Sequence, residues 1–171
     1  MGNTLENLET AFAGESQANR KYLFFAEKAE KEGYTQIARL FRAAAEAETV
    51  HARNHLEGMG IGTTKGNLET AIKGENYEFT KMYPGFIEQA KSENNKRAEI
   101  SFTHANEVEK IHHDLYQEAL KALEEGQKLK GESYFVCQVC GNTVAGKAPE
   151  ACPICGAPRS KFKRVGAGLF G

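Results

Sequence analysis

The sequence predicts a mainly α protein, in which a four-helix bundle precedes a small C-terminal metal-binding domain. The segment NLETAFAGE at 7–15 returns as NLETAIKGE at 67–75, with seven of nine letters identical. A second match, EAETVH at 46–51 with EVEKIH at 107–112, follows at an offset of 61. All four cysteines are confined to the C-terminal fifth of the chain.

The internal repeat divides the predicted bundle, residues 1–126, into copies at 1–57 and 67–125. Both copies are rich in Ala, Glu, Lys and Leu and poor in Pro, which favours helix. Each copy is interrupted near its middle, around Gly33 and around Asn94, so each predicts two helices. We expect Pro84 to interrupt the third helix. The predicted helices span 4–32, 34–57, 67–92 and 95–126. A duplicated helix pair favours a four-helix bundle with two-fold pseudo-symmetry.

Each predicted helix carries a glutamate in the stripe of positions that faces the bundle core. These glutamates are Glu15, Glu48, Glu75 and Glu109. Histidines follow Glu48 and Glu109 after three positions, at His51 and His112, so each pair shares one helix face. Buried carboxylates need a counter-charge, and no lysine or arginine falls between them on the stripes. Two glutamates plus two Glu-x-x-His pairs form the two-metal pattern of helical bundles, and mixed oxygen and imidazole ligands suit iron or manganese.

The two copies differ at one informative position. Residue 18 is Ala, whereas its counterpart sixty positions later is Glu78, three residues after Glu75. Both glutamates can face the metals, so we predict Glu78 as a fifth carboxylate ligand; the alternative is an extra surface glutamate. The other histidines are interpreted as packing behind the ligands (His55) or as surface residues (His104 and His113).

The C-terminal part predicts a separate domain at 134–171, after a polar linker at 127–133. Its two knuckles, Cys137-x-x-Cys140-Gly and Cys152-Pro-x-Cys155-Gly, have metal-ligand spacing. In a reducing compartment such clustering argues for metal ligands rather than disulfides. Four thiolates form a tetrahedral site that suits zinc as well as iron, and so short a domain needs its metal to fold.

Composition argues against several classes of function. The net charge is −1 and the charges are mixed in sign, so no basic face for nucleic acid is expected. No apolar run reaches the ~18 residues of a membrane span, and the first residues lack the apolar core of a signal peptide. The glycine-rich segment 58–66 lacks the Gly-x-Gly-x-x-Gly spacing and follows a helix, so a nucleotide site is not expected. We therefore expect a cytoplasmic protein that binds neither nucleic acid nor membrane.

Taken together, the helical repeat and the cysteine knuckles resemble the rubrerythrin family over most of the chain. That family joins a ferritin-like di-iron bundle to a C-terminal rubredoxin-like Fe(Cys)4 domain. The resemblance implies that two iron ions are held by Glu15, Glu48, His51, Glu75, Glu78, Glu109 and His112. Glu48 and Glu109 would bridge the ions, with Tyr22 and Tyr83 behind the ligands. It also implies one iron, with zinc as a substitute, at Cys137, Cys140, Cys152 and Cys155.

The resemblance further implies a peroxidase that reduces hydrogen peroxide to water. Electrons would return through the Fe(Cys)4 centre from a rubredoxin or an NAD(P)H-dependent reductase. Glu78 and His51 are the expected catalytic residues, which replace each other as ligand of one iron when its oxidation state changes. The rival interpretations are a ferroxidase or iron-storage protein, a simple metal-binding module, and an electron-transfer protein with the bundle as scaffold. The cysteine domain favours the peroxidase, because storage needs no attached electron relay.

The connection between the second and third helices predicts a dimer. In a ferritin-like bundle these helices run parallel, so residues 58–67 must extend along the whole length of the bundle. Ten residues reach at most ~33–36 Å, and the second helix, of 24 residues, is ~36 Å long. Exchange of helices between two chains relieves this stretch, so we expect a domain-swapped homodimer.

Overall fold

The structure is a computed structural model that describes residues 3–129 and 133–166. Its helices are α1 (Thr4–Lys31), α2 (Thr35–Met59), α3 (Thr64–Tyr77), α4 (Tyr83–Ser92) and α5 (Lys96–Glu124), with a π-helical turn at Glu78–Met82. Its strands are β1 (Tyr134–Cys137), β2 (Thr143–Ala145) and β3 (Phe162–Arg164), with a 3-10 turn at Arg159–Lys161. The predicted class, mainly α with a small C-terminal domain, is confirmed.

Residues Met1–Gly62 form one compact unit, in which α1 and α2 pack as an antiparallel hairpin. A capping box starts α1, because the side chain of Asn3 accepts from the amide of Glu6 and the Glu6 carboxylate accepts from the amide of Asn3. The hairpin turns at Gly33, whose φ of 85° suits glycine. Small buried residues, Ala26 among them, let the two helices approach closely.

Residues Thr63–Gly171 form the second compact unit, in which α3, the π-helical turn and α4 pack along α5. The side chain of Asn95 caps α5 by accepting from the amide of Ala98. The C-terminal strands form an antiparallel sheet in the order β2-β1-β3. Strand β2 contacts α5, where Val108 is buried.

The compact units divide the chain inside the predicted loop 58–67 and group the second repeat copy with the cysteine domain. The domain boundaries predicted from the sequence stay a prediction. Of the predicted linker, residues 130–132 lie outside the described residues, as do residues 167–171 of the predicted cysteine domain. None of the described helices combines the length and apolarity needed to cross a bilayer.

The interruption expected at Pro84 is the π-helical turn that ends two residues before it. The repeat offset is 60 at Glu15 and Glu75 but 61 at Tyr22 and Tyr83, so the second copy has one extra residue between these points. A π turn accommodates one inserted residue without ending the helix. The turn therefore returns Tyr83 to the helix face that Tyr22 occupies in the first copy.

Candidate metal centres

The first compact unit brings together Glu15 of α1 with Glu48 and His51 of α2. Their donor atoms all lie within 4.8 Å of one another. Nδ1 of His51 is 2.8 Å from Oε2 of Glu48, as expected for residues one helical turn apart. The Glu48 side chain is 17% exposed and the His51 side chain 53%. Helical spacing and the α1–α2 packing thus bring three of the predicted ligands together, and their binding of a metal stays a prediction.

The second unit builds the same cluster from Glu75 of α3 with Glu109 and His112 of α5. Their donor atoms also lie within 4.8 Å of one another. Nδ1 of His112 is 2.7 Å from Oε2 of Glu109 and 3.9 Å from Oε2 of Glu75. All three side chains are less than a third exposed. The repeat therefore produces two similar clusters, one in each unit.

The electrostatics of the second cluster favour the protonated forms of its crowded side chains. Burial and the nearby charge of Glu109 raise the pKa of Glu75 to about 7, although His112 works in the opposite direction. The hydrogen bond to Glu109 raises the pKa of His112, against the effect of burial. Glu75 and His112 therefore tend to keep protons in the space that a metal cation would otherwise occupy. This donor set fits a divalent metal that prefers mixed oxygen and nitrogen ligands.

Glu78 lies beside the second cluster but outside its group of donor atoms. It is the first residue of the π-helical turn and is half-buried. Burial and the charge of Glu109 raise the pKa of Glu78, and His112 lowers it. Glu78 is thus close enough to experience the cluster electrostatically, and its role as a ligand stays a prediction.

Each copy also contains an aromatic triad, and the distances between ring centroids are nearly the same in the two copies. The centroids of Tyr22 and Phe41 are 6.1 Å apart, and those of the matching pair Tyr83 and Phe102 are 6.3 Å apart. The third members, Phe25 and Phe86, complete the triads. Burial and the charges of Glu109, Glu78 and Glu75 raise the pKa of Tyr83, so its hydroxyl belongs to the surroundings of the second cluster.

Two of the three histidines outside the clusters are less exposed than the sequence suggested. The expectation of a surface position is wrong for His113, whose side chain is only 14% exposed and meets Phe79 edge-on at 5.4 Å. The cause is that the π-helical turn covers this flank of α5. His104 is half-buried rather than exposed, and His55 is half-buried as expected.

His112 has a second partner that the sequence did not indicate. Its Nε2 atom is 2.9 Å from Oγ1 of Thr143 in β2. Among the described residues, His51 has Glu48 as its one hydrogen-bonding partner. The two clusters therefore differ in what supports the far side of the histidine ring. Motif spacing could not reveal Thr143, because the contact joins residues 31 positions apart in a helix and a strand.

The four cysteines form the third candidate centre. Their sulfur atoms lie within 4.8 Å of one another; Cys137 and Cys155 are 3.7 Å apart, and Cys140 and Cys152 are 3.5 Å apart. A tetrahedron of sulfurs about 2.3 Å from a metal has edges of about 3.8 Å. The sulfurs are thus arranged as a tetrahedral thiolate site requires.

Two similar turns produce this arrangement. The amides of Gly141 and Gly156 donate to the carbonyls of Cys137 and Cys152, both at 2.9 Å. Positive φ angles of 86° and 74° explain the glycine after each second cysteine. Burial works to raise the pKa of Cys152, but the amides of Cys155 and Ile154 lower it to about 6. The second turn therefore stabilises a thiolate at Cys152, whereas burial raises the pKa of Cys140 and of Cys155.

The fully buried Asn142 adds a side-chain contact to this centre. Its Nδ2 donates to Sγ of Cys152 at 3.6 Å. Hydrogen bonds to a metal-bound sulfur tune the reduction potential of the site.

Comparisons with known proteins agree with this combination of centres. The family described as "Rubrerythrin" matches residues 6–120, and that described as "Rubrerythrin, rubredoxin-like domain" matches residues 135–163. The chain is 38% identical to Rubrerythrin-2 of Clostridium acetobutylicum, over 94% of this chain and 95% of that protein. It is 40% identical to a rubrerythrin of Porphyromonas gingivalis, over 94% of this chain and 88% of that protein.

Solved structures point the same way. A structure of nigerythrin in a partially reduced state is similar with a TM-score of 0.58 and 35% identity. The similarity covers 96% of this chain and 88% of that one. A fully reduced, all-ferrous structure of nigerythrin matches with a TM-score of 0.56.

Proposed function

The chain belongs to the rubrerythrin family, and from this premise we propose that it is a non-haem di-iron peroxidase. It reduces hydrogen peroxide to water and so protects against oxidative stress. The observation that carries the proposal is the combination, in one chain, of two carboxylate–histidine clusters with a tetrathiolate cluster. The two carboxylate–histidine clusters would hold the metals that reduce peroxide. The tetrathiolate cluster would hold the metal that relays electrons to them.

The helix clusters are suited to iron. Two iron ions bound there would supply the two electrons that reduction of peroxide to two waters consumes. Glu15 and Glu75 would each provide one carboxylate, and the family resemblance implies that the two ions would share Glu48 and Glu109. His51 and His112 provide the imidazoles. We propose that Glu78 replaces His51 as the ligand of one iron after oxidation, because a carboxylate suits the harder ferric ion better than an imidazole does.

The cysteine site is the proposed electron relay. Iron suits this role, whereas zinc, which has no redox chemistry, would fill the site without relaying electrons. The electrons come from a separate protein, a rubredoxin or an NAD(P)H-dependent reductase. The glycine-rich segment 58–66 lacks the pattern of a nucleotide site, which supports an external reductant.

We also propose a domain-swapped homodimer in the cytoplasm, with no nucleic-acid or membrane partner. The connection between α2 and α3 is residues 60–63, shorter than the predicted loop at 58–67, and its limited reach supports the exchange of helices. Large apolar residues of α2 support association, since Ile37 and Leu40 are 48% and 69% exposed in the single chain. Exposed side chains of this kind are typical of surfaces that a partner covers.

The proposal is tested by anaerobic stopped-flow spectroscopy on fully reduced, iron-loaded protein. We expect peroxide to oxidise the helix site rapidly, with one peroxide consumed per two electrons, and the cysteine iron to follow. The Glu109→Ala variant should lose the rapid phase while keeping the cysteine-site spectrum. Slow oxidation of the wild type, or growth of a ferric mineral on repeated addition of Fe²⁺, would instead support iron storage.

A further inference from the structure

The direction of one hydrogen bond follows from the chemistry of threonine. A hydroxyl has a single proton to donate and two lone pairs that accept. Oγ1 of Thr143 lies 3.1 Å from the carbonyl oxygen of Gly141 and donates to it. Towards Nε2 of His112, at 2.9 Å, the hydroxyl can then only accept. One imidazole proton therefore belongs on Nε2, whereas the proton that Nδ1 donates to the Glu109 carboxylate is the one that a metal would displace.

This direction leaves the other ring nitrogen for a metal. Nδ1 of His112 is the ring atom that points into the cluster, 2.7 Å from Oε2 of Glu109. A metal ligand must present a lone pair, and the tautomer that does so is set by the bond on the opposite nitrogen. Thr143 thus favours the tautomer with its proton on Nε2, which is the one that a metal at the second cluster needs.

The surroundings of Thr143 hold its hydroxyl in place. Thr143 pairs with Val136 in the ladder between β2 and β1, which fixes the backbone of the strand. Its acceptor, Gly141, lies directly after Cys140 in the first cysteine knuckle. The knuckle packs against α5, because a Cβ atom placed on Gly141 would lie only 3.8 Å from the side chain of Val108. Val108 is buried in α5, one turn before His112. The imidazole is therefore held between its own helix and the cysteine domain.

We propose that Thr143 is a positioning residue, whose hydroxyl fixes the orientation and tautomer of His112 and ties this ligand to the cysteine domain. The inference rests on the proposed metal site. In the described residues, His51 has no equivalent support behind its ring. The metal bound by His112 should therefore depend on Thr143, whereas the metal bound by His51 should not. Losing an outer partner of a metal-bound histidine costs about 10–100-fold in metal affinity.

A pair of variants tests the proposal in the full chain with iron in the cysteine site. Thr143→Val keeps the shape and suits a strand but lacks the hydroxyl, while Thr143→Ser keeps the hydroxyl. In anaerobic Fe²⁺ titrations we expect Thr143→Val to weaken one of the two helix-site ions by about 10–100-fold. Thr143→Ser should bind both ions nearly as the wild type does. An exposed threonine of α3, changed as Thr70→Val, is the matched control.

A second measurement reports the tautomer of His112 directly. In fully zinc-loaded, diamagnetic protein, nuclear magnetic resonance should show a slowly exchanging Nε2–H proton for His112. The signal should persist in Thr143→Ser and disappear in Thr143→Val. Its absence from the wild type, or unchanged Fe²⁺ affinity in Thr143→Val, would overturn the proposal. A wild type that binds no metal at the helix clusters would overturn the proposed function as well. This outcome is distinct from failure of the Thr143 proposal alone, because it is seen in the wild type without any variant.

Discussion

Replacing Glu75 with glutamine should stabilise the protein when the helix site is empty, although it should weaken metal binding. Glu75 lies in a cluster where burial and the charge of Glu109 oppose its ionisation. Glutamine keeps the shape and a carbonyl oxygen but carries no charge. The variant therefore removes the repulsion that a metal would otherwise neutralise.

The pKa of Glu75 gives the size of the effect. A pKa of about 7, against 4.5 for the free side chain, corresponds to about 3 kcal/mol once the carboxyl is ionised. Because the side chain remains 19% exposed and water screens part of this cost, we expect about 2 kcal/mol. The sign follows from the raised pKa, since the folded state keeps its proton at low pH and loses stability as the pH rises towards 7 and above.

The assay is urea unfolding at pH 8 and pH 5, with the helix site emptied by a chelator and the cysteine site loaded. Glu75→Gln should be about 2 kcal/mol more stable than the wild type at pH 8 and less than about 1 kcal/mol more stable at pH 5. The control is Glu69→Gln, an exposed position of α3, which should change little at either pH. Equal stability of Glu75→Gln and wild type at pH 8 would refute the claim that these carboxylates are crowded.

Three further changes have expected outcomes. Asn142→Val removes the donor to Cys152 and should lower the reduction potential of the cysteine iron by on the order of tens of mV. Spectroelectrochemistry measures this shift, and an unchanged potential counts against a role for the hydrogen bond. Glu78→Ala should leave Fe²⁺ binding largely intact but slow peroxide turnover, and an unchanged rate argues against exchange with His51. Glycine–serine insertions between α2 and α3, within residues 60–63, should yield monomers by sedimentation if loop strain drives the helix exchange, whereas dimers at every length contradict that cause.

Much of the helical architecture could be predicted because its signals are local. The turn of α1 into α2 depends on Gly33, and the start of α5 depends on Asn95, both visible in the sequence. The donor clusters were predictable for the same reason, since a Glu-x-x-His pair shares one helix face wherever the helix packs. The repeat then indicated that the Glu48–His51 pair would recur at Glu109 and His112.

Features that depend on tertiary packing could not be predicted in the same way. The change of offset from 60 to 61 between Glu75 and Tyr83 marks an inserted residue, but it does not say that a π turn absorbs it. The burial of His113 depends on which flank of α5 is covered. The contact between His112 and Thr143 depends on where the cysteine domain rests on α5, which no periodicity in either segment records.

The central claim is that acidic side chains of the helices are tolerated because metal ions neutralise them. Anomalous X-ray scattering at the iron edge, from crystals of anaerobically iron-loaded protein, tests this claim most directly. We predict one iron among Glu15, Glu48 and His51, one among Glu75, Glu109 and His112, and one among the four cysteine sulfurs. Iron confined to the cysteine site, with the helix clusters empty at saturating Fe²⁺, would contradict the account.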